Sequence, residues 1–244
     1  MIYLELQEVG FFELFKQVIL PLALVFLLEM AFGGIMLKIS KESVPELQDD
    51  LREIDGMNEF FEYVIWLGST EMLLLLLSVT FMLIDKASAM YLWASTFTIY
   101  FLMNILASLY KEQRLYLLSS DVKSNLCYTG FGNPSYEVAT NFFLHVSLFL
   151  HSIESDSRTF RKRPLMRKIV HVVWPTVVLA FLFSYMFALV ALGANSFNQV
   201  TFGALLGFTV ALIANYWVKH YFIDLQERLT KKQIAEAENG DEVI

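Results

Sequence analysis

The sequence predicts an all-α polytopic membrane protein, a six-helix transmembrane bundle, and three observations support this fold class. The chain has 244 residues, of which 56% are hydrophobic and only 18% are charged, a balance typical of membrane proteins. Its apolar residues gather in six segments that can each form a helix spanning a hydrocarbon core, which takes about 20 residues. Its charged residues gather between those segments, where a membrane protein meets water.

The predicted spans divide the chain into three parts. Residues 1–16 mix apolar side chains with glutamates and predict an interfacial helix, whereas residues 224–244 form a polar tail. The membrane domain occupies residues 17–223 between them. Its predicted spans are 17–38, 59–84, 87–110, 136–152, 169–192 and 200–223.

The loop charges predict the orientation of the bundle. The 39–57 loop is acidic and the 153–168 loop is basic, and twelve of the eighteen Lys and Arg residues fall on the side that holds both termini. The positive-inside rule therefore places both termini inside, with the 111–135 segment and the 193–199 turn outside. The basic loop either fixes this topology alone or also binds anionic lipid head groups. Its cations are Arg158, Arg161, Lys162, Arg163, Arg167 and Lys168.

Two short segments beside the predicted spans carry the residues of chemical interest. Residues 130–137 read Gly-Phe-Gly-Asn-Pro-Ser-Tyr-Glu and lead into the fourth span. Residues 193–200 read Gly-Ala-Asn-Ser-Phe-Asn-Gln-Val and lead into the sixth. Gly203 and Gly207 follow at a spacing of four, which allows close helix packing in lipid. Arg114 lies about twenty residues before the Pro134-Ser135 pair.

On these residues the chain resembles the type 2 phosphatidic-acid phosphatase superfamily, which has six spans and the motifs KxxxxxxRP, PSGH and SRxxxxxHxxxD. The first motif aligns its lysine on Ala107 and keeps its arginine as Arg114. The second keeps Ser135 but places Glu137 where the family has a histidine. The third places Asn195 on the nucleophilic histidine and, four residues later, Gln199 on its orienting aspartate.

The resemblance implies a phosphatase fold that has lost its chemistry. The family's reaction needs a histidine nucleophile, a second histidine as general acid and several cations around the phosphate. The amide nitrogen of Asn195 has no available lone pair, and Glu137 as a carboxylate repels phosphate. Loss of such a nucleophile costs on the order of a millionfold in rate. We therefore predict a pseudo-phosphatase in which Arg114 pairs with Glu137.

These expectations favour a catalytically inactive membrane protein that acts as a structural or lipid-binding accessory subunit. Its expected partners are membrane lipids and other membrane protein subunits, with no nucleic acid, cofactor or metal. The family resemblance favours the endoplasmic reticulum or plasma membrane, and the mitochondrial inner membrane is also compatible with the sequence. One alternative is an active lipid phosphatase or phosphotransferase with a rearranged site at Arg114, Lys111, Ser135 and Glu137.

A second alternative is a transporter, suggested by two carboxyl groups inside predicted spans. Glu29 lies within the first span and Glu71 near the middle of the second. A charged carboxylate at the bilayer centre costs about 2.5–3.5 kcal/mol on insertion scales, so each should face protein or be protonated. The simpler interpretation is a neutral carboxyl group bonded to a neighbouring helix. His145 and His151 are six residues apart and therefore do not form a metal-ligand pair.

Overall fold

A computed structural model describes residues 15–84, 86–124, 126, 130–159 and 172–219, and all regular secondary structure among them is helical. Two π-helical turns, Phe15–Ile19 and Ala214–Lys219, precede the first α-helix and extend the last. The predicted all-α fold class is confirmed. The α-helices are α1 (Leu20–Arg52), α2 (Met57–Leu67), α3 (Thr70–Leu83), α4 (Lys86–Tyr110), α5 (Leu115–Leu118), α6 (Tyr136–Thr159), α7 (Trp174–Ala191) and α8 (Phe197–Ile213).

The long helices fall at the six predicted spans, and most of them suit a bilayer by length and composition. Among the described residues, four helical segments are long and apolar enough to cross, namely Phe15–Arg52, Ser88–Leu118, Trp174–Ala191 and Phe197–Tyr216. The bent pair α2 and α3 meets the same test when its two helices are taken together. Helix α6 is long enough, with 24 residues, or about 36 Å. It is more polar because much of its surface is buried against other helices. The chain is an integral membrane protein.

Helix α8 lies at the centre of the bundle. Its apolar stretch is 61% buried, against 11% for the span that contains α1, and it packs most extensively on α6 and α1. Gly203 and Gly207 make the approach to α6 possible, because a Cβ at either position would collide with the carbonyl oxygen of Ser135 or Ala139 respectively. The spacing of these glycines therefore has the packing consequence expected in a membrane interior.

The first helix is longer than the sequence predicted. The expected span ended at residue 38 and an acidic loop was expected at 39–57, but α1 continues through Pro45 to Arg52. The acidic side chains of this stretch lie on its exposed side. The opposite side forms a buried stripe at helical spacing, which stabilises the extra turns. The stripe consists of Ser40, Val44, Gln48 and Leu51.

The extra turns of α1 bind the loops on the predicted outer side of the bundle. The Gln48 side-chain amide donates to the carbonyl oxygens of Lys123 at 2.7 Å and Ala191 at 3.1 Å, and its Oε1 accepts from the Lys123 backbone N–H at 3.1 Å. The Ser40 hydroxyl accepts from the backbone N–H of Phe197 at 2.9 Å. Helix α1 therefore holds the 111–135 segment and the turn before α8 in place.

The second predicted span is not continuous. Helices α2 and α3 meet at Gly68 and Ser69, with a bend of 46°. Ser69 caps α3 by accepting from the backbone N–H of Met72 at 3.4 Å, and the freed carbonyl of Gly68 accepts from the Asn141 amide at 2.9 Å. A side chain at position 68 would overlap the ring of Tyr185. The sequence predicted one continuous span at 59–84, although Gly-Ser-Thr-Glu at 68–71 interrupts its apolar residues.

Several sequence-based predictions fall outside the described residues. These include residues 1–14 of the interfacial segment predicted at 1–16, the polar tail and most of the basic 153–168 loop. The backbone of Arg158 belongs to α6, but its side chain is not described. The remaining cations of that loop, Arg161, Lys162, Arg163, Arg167 and Lys168, all lie in the stretch from 160 to 171 that is not described.

Candidate functional site

The centre of the candidate site is Arg114, which the segment after α4 carries into the protein interior. Helix α4 ends at Tyr110, and Lys111 then adopts the left-handed conformation, with φ of 55°. Few residues other than glycine adopt this conformation, so it marks a sharp turn of the chain. Lys111 itself is exposed, whereas Arg114 is fully buried at 0% exposure. Lys111 therefore does not replace the missing lysine of the phosphatase motif.

The Arg114 guanidinium joins the two motif segments. Its Nη2 donates to Glu137 Oε1 at 2.8 Å, and its Nη1 donates to Asn195 Oδ1 at 3.0 Å. The ion pair is buried, with exposures of 0% for the Arg114 side chain and 9% for that of Glu137. The guanidinium carbon also lies 6.0 Å from the centre of the Tyr136 ring. The expected pair across the site is present.

The second carboxylate oxygen of Glu137 is also engaged. The Ser135 hydroxyl donates to Glu137 Oε2 at 3.0 Å, and the Ser135 backbone N–H donates to the Gln199 carbonyl at 3.1 Å. Ser135 is fully buried. The start of α6 is thus joined to the start of α8 by the main chain, and Glu137 is fixed between a hydroxyl and a guanidinium.

Asn195 and Gln199 form the start of α8, which carries a capping box. The Ser196 hydroxyl accepts from the Gln199 backbone N–H at 3.3 Å, and Gln199 Oε1 accepts from the Ser196 backbone N–H at 3.1 Å. Asn195 Nδ2 donates to the same Oε1 at 3.3 Å and to the Gly132 carbonyl at 3.4 Å. This reciprocal pattern stabilises the first turn of a helix.

The other end of the Gln199 side chain shows why an amide suits this position. Its Nε2 donates to the Gln113 carbonyl at 2.8 Å and to Glu112 Oε1 at 3.1 Å. An aspartate, as the phosphatase motif has here, could not donate to either oxygen and would repel Glu112. Both ends of the Gln199 side chain are therefore occupied by hydrogen bonds.

Sequence reasoning missed three polar residues of this network and did not foresee how a fourth, Glu29, is bound. Asn133 Nδ2 donates to Glu29 Oε1 and to Glu112 Oε2, both at 2.8 Å. Asn198 Nδ2 also donates to Glu29 Oε1, at 2.9 Å. Glu29 is thus bonded to neighbouring segments, in agreement with the simpler of its two interpretations. The available signal was the density of amide side chains at 133, 195, 198 and 199.

Ala107 occupies the position that the resemblance assigns to the motif lysine, seven residues before Arg114. It is buried in α4 at 3% exposure, and its methyl group brings no charge. Within the described network, Arg114 is then the one cation, and the carboxyl groups of Glu29, Glu112 and Glu137 outnumber it. Such a balance opposes the binding of a phosphate dianion, which needs several donors and cations.

No metal centre is visible in the described part of the chain, which contains no group of three or more His, Cys, Asp or Glu side chains suited to an ion. His145 Nδ1 lies 2.9 Å from the Asn141 carbonyl oxygen, and its ring packs against Phe181 at 5.4 Å. His145 is therefore a hydrogen-bonded residue of the helix core.

The arrangement of helices has a close match among solved structures. The chain is similar to the crystal structure of the first transmembrane PAP2-type phosphatidylglycerolphosphate phosphatase from Bacillus subtilis, with a TM-score of 0.66 over 83% of this chain and 96% of that chain. The chain has a PAP2-type fold. The resemblance deduced from the motifs is therefore confirmed for the fold.

The PAP2-type likeness concerns architecture more than sequence. The two chains are 15% identical. No family model matches the sequence, and the search of curated proteins finds no significant match. The shared fold consequently shows how the helices are arranged, and the chemistry must be argued from the residues of this chain.

Proposed function

We propose that this protein is a PAP2-fold membrane protein without phosphatase activity, whose polar centre holds the helices together and leaves the scaffold available for lipid contact. The observation that supports the proposal most strongly is the state of Asn195. This residue stands at the position that the resemblance assigns to the nucleophile. Its side chain is held by Arg114, Gly132 and Gln199.

The chemistry of Asn195 opposes covalent catalysis. A histidine attacks phosphorus through a ring nitrogen with a free lone pair, and it is activated by a neighbouring carboxylate. The lone pair of the Asn195 amide nitrogen is delocalised into the carbonyl group, and that nitrogen acts here as a hydrogen-bond donor. Its neighbour Gln199 cannot act as the activating base. A phospho-enzyme has no atom on which to form at this position.

The surroundings also oppose phosphate binding. Arg114 directs Nη1 and Nη2 to Asn195 and Glu137, so a phosphate would have to displace these contacts. Removing the partner of a buried charge is costly, typically about 3–5 kcal/mol. The carboxyl groups of Glu29, Glu112 and Glu137 would add repulsion. Both binding and chemistry are therefore weakened in the same site.

Phosphatase assays test the proposal directly. We expect the purified protein in non-ionic detergent to release no phosphate from phosphatidic acid or phosphatidylglycerolphosphate above a protein-free control. We also expect no covalently bound phosphate after rapid quenching with labelled substrate. A thermal unfolding transition of the same sample shows that the protein is folded. Turnover at ordinary enzyme rates, roughly 1–1,000 per second, would contradict the proposal.

One geometric observation favours a second candidate, an active lipid phosphatase with a rearranged site. The Ser135 hydroxyl donates to Glu137 at 3.0 Å beside Arg114, which is the relation of a nucleophile to its base. Against this candidate, Ser135 is fully buried and Lys111 is exposed. If turnover were found, Ser135→Ala should abolish it and Asn195→Ala should preserve it.

The proposal includes a role as a structural or lipid-binding accessory subunit of a membrane complex, with both termini inside. The proposed lack of phosphatase activity in a protein that keeps the PAP2-type fold supports this role. The span that contains α1 is only 11% buried, which leaves its surface available for lipid or another subunit. We expect gentle extraction and native mass spectrometry to recover the protein with other membrane proteins, and proteolysis of an epitope after Ile244 to occur only from the inside. Recovery of a lone monomer would count against the subunit role.

The organelle and the basic loop belong to the same proposal. The resemblance favours the endoplasmic reticulum or plasma membrane, and an assembly in the mitochondrial inner membrane is compatible with the same residues. The cations at 158–168 would then face the inside and attract anionic head groups, at about 1 kcal/mol each. The transporter alternative loses its support from Glu29, because that carboxyl group is bonded to Asn133 and Asn198.

A further inference from the structure

A cavity of about 180 Å³ lies at the break between α2 and α3. Its wall includes residues 68–71 at the break and three tyrosines from three other helices, Tyr100, Tyr136 and Tyr185. The break lies near the middle of the second predicted span, which the structure forms from Met57–Leu67 and Thr70–Leu83. Non-helical backbone within a membrane span is tolerated where it is buried in protein or lines a polar cavity. The cavity is therefore part of how the broken span is accommodated.

The cavity contains a negative charge that no described cation balances. Glu71 forms part of its wall and has an exposed side chain. A charged carboxylate within the membrane is unfavourable without compensation. The Ser69 hydroxyl and the Glu71 backbone N–H hydrogen-bond to this carboxylate, but neither is charged. Among the described residues no Lys or Arg forms an ion pair with Glu71. Glu137 also lines the cavity, and its charge is already balanced by Arg114.

The aromatic walls add a second attraction for a cation. The faces of tyrosine rings carry negative potential, and ammonium groups bind over them. Tyr100 and Tyr136 meet edge to face, with ring centres 5.5 Å apart. Tyr136 is already near the Arg114 guanidinium, and Tyr185 is buried and stacked on Phe181 with ring centres 6.1 Å apart. Tyr100 is therefore the ring for a further cation. The start of α3 does not attract an anion here, because Ser69 caps it and Glu71 occupies its first turn.

We propose that this cavity binds an organic ammonium group, with Glu71 as its counter-ion and Tyr100 as its aromatic surface. The volume corresponds to about six water molecules, which suits a head group of similar size. The ammonium belongs either to a lipid head group or to a free amine. The proposal deepens the proposed function and rests on it for the expectation of lipid contact. Glu137 belongs both to the wall of this cavity and to the Arg114 network.

Lipid retention by the purified full-length protein tests this proposal. In non-ionic detergent, native mass spectrometry should find about tenfold more phosphatidylethanolamine than phosphatidylglycerol retained by the protein. Added tetramethylammonium should displace the phosphatidylethanolamine. Glu71→Gln should lower this retention about tenfold, and Glu62→Gln, an exposed carboxylate in α2 of the same span, should leave it unchanged. Tyr100→Leu should lower it several-fold, whereas Tyr100→Phe keeps the ring and should preserve it.

The outcomes separate the sources of the ammonium and can overturn the proposal. A rise in melting temperature with tetramethylammonium that Glu71→Gln abolishes, without preference between the lipids, assigns the cavity to a free amine. Equal retention of both lipids with no response to tetramethylammonium overturns the proposal, as do equal effects of Glu71→Gln and Glu62→Gln. Lipid retention is compared only among variants whose thermal unfolding transition matches that of the wild-type protein. The lipid-retention test does not measure phosphate release. A negative result in it would therefore contradict the ammonium site without contradicting the proposed lack of phosphatase activity.

Discussion

Replacing Arg114 by methionine is expected to lower the free energy of unfolding by about 3–5 kcal/mol, the usual cost of removing one partner of a buried ion pair. The substitution leaves the Glu137 carboxylate buried without its counter-charge, and it removes the donor to Asn195 Oδ1. Both groups lie where the first turns of α6 and α8 meet. Reversible unfolding in mixed micelles, followed by far-UV circular dichroism, measures the loss.

Two further variants separate this effect from the general loss of a cation. Lys111→Met removes an exposed positive charge three residues upstream and should change stability by no more than about 0.5 kcal/mol. The double variant Arg114→Met/Glu137→Gln removes the buried charge with its partner and should recover much of the loss. An effect of Arg114→Met no larger than that of Lys111→Met would refute the structural role of the ion pair.

Gly207→Ala is expected to destabilise the bundle by at least about 1–3 kcal/mol, the usual range for overpacking. A Cβ at this position would collide with the carbonyl oxygen, carbonyl carbon and Cα of Ala139 in α6, and rigid backbone cannot move aside as a side chain can. Helices α6 and α8 would have to separate, which also disturbs the hydrogen bond between Ser135 and Gln199. The same unfolding measurement reports the change.

Gly34→Ala is the matched control for this prediction. Gly34 also lies inside a membrane helix, and a Cβ added there meets no atom within 4 Å. Glycine to alanine in a helix interior is otherwise favourable by roughly 1 kcal/mol, so this variant should be neutral or slightly stabilising. Equal losses for Gly34→Ala and Gly207→Ala would mean that close packing of α8 on α6 does not explain the effect.

The positions of the helices could be predicted from the sequence because lipid requires long apolar segments. Two features of the same helices were not predicted from the sequence. The acidic stretch after residue 38 has the composition of a loop, and only the spacing of Ser40, Val44, Gln48 and Leu51 indicated a continuing helix. The break at Gly68 coincides with the Gly-Ser-Thr-Glu sequence at 68–71 inside an otherwise apolar run, but the need for glycine there comes from the ring of Tyr185 on another helix.

The candidate site was predictable where a motif carried the information. The resemblance identified Arg114, Glu137 and Asn195, and the structure joins them. The bonds of Glu29 and Glu112 were beyond sequence reasoning, because they connect positions far apart in the chain. Asn133 is 104 residues from Glu29, and Gln199 is 87 residues from Glu112. Such partners become neighbours only through the packing of α1, α8 and the 111–135 segment.

The buried Arg114–Glu137 pair also limits the routes by which mutation could restore a phosphate-binding pocket. A substitution of Glu137, for example by histidine, leaves the Arg114 guanidinium buried without its counter-ion and beside a second basic group. A first step at Asn195 removes the oxygen that accepts from Arg114 Nη1. Each single exchange passes through a protein that folds poorly before it gains any chemistry. Selection for a stable fold alone is therefore expected to keep both residues during sequence drift.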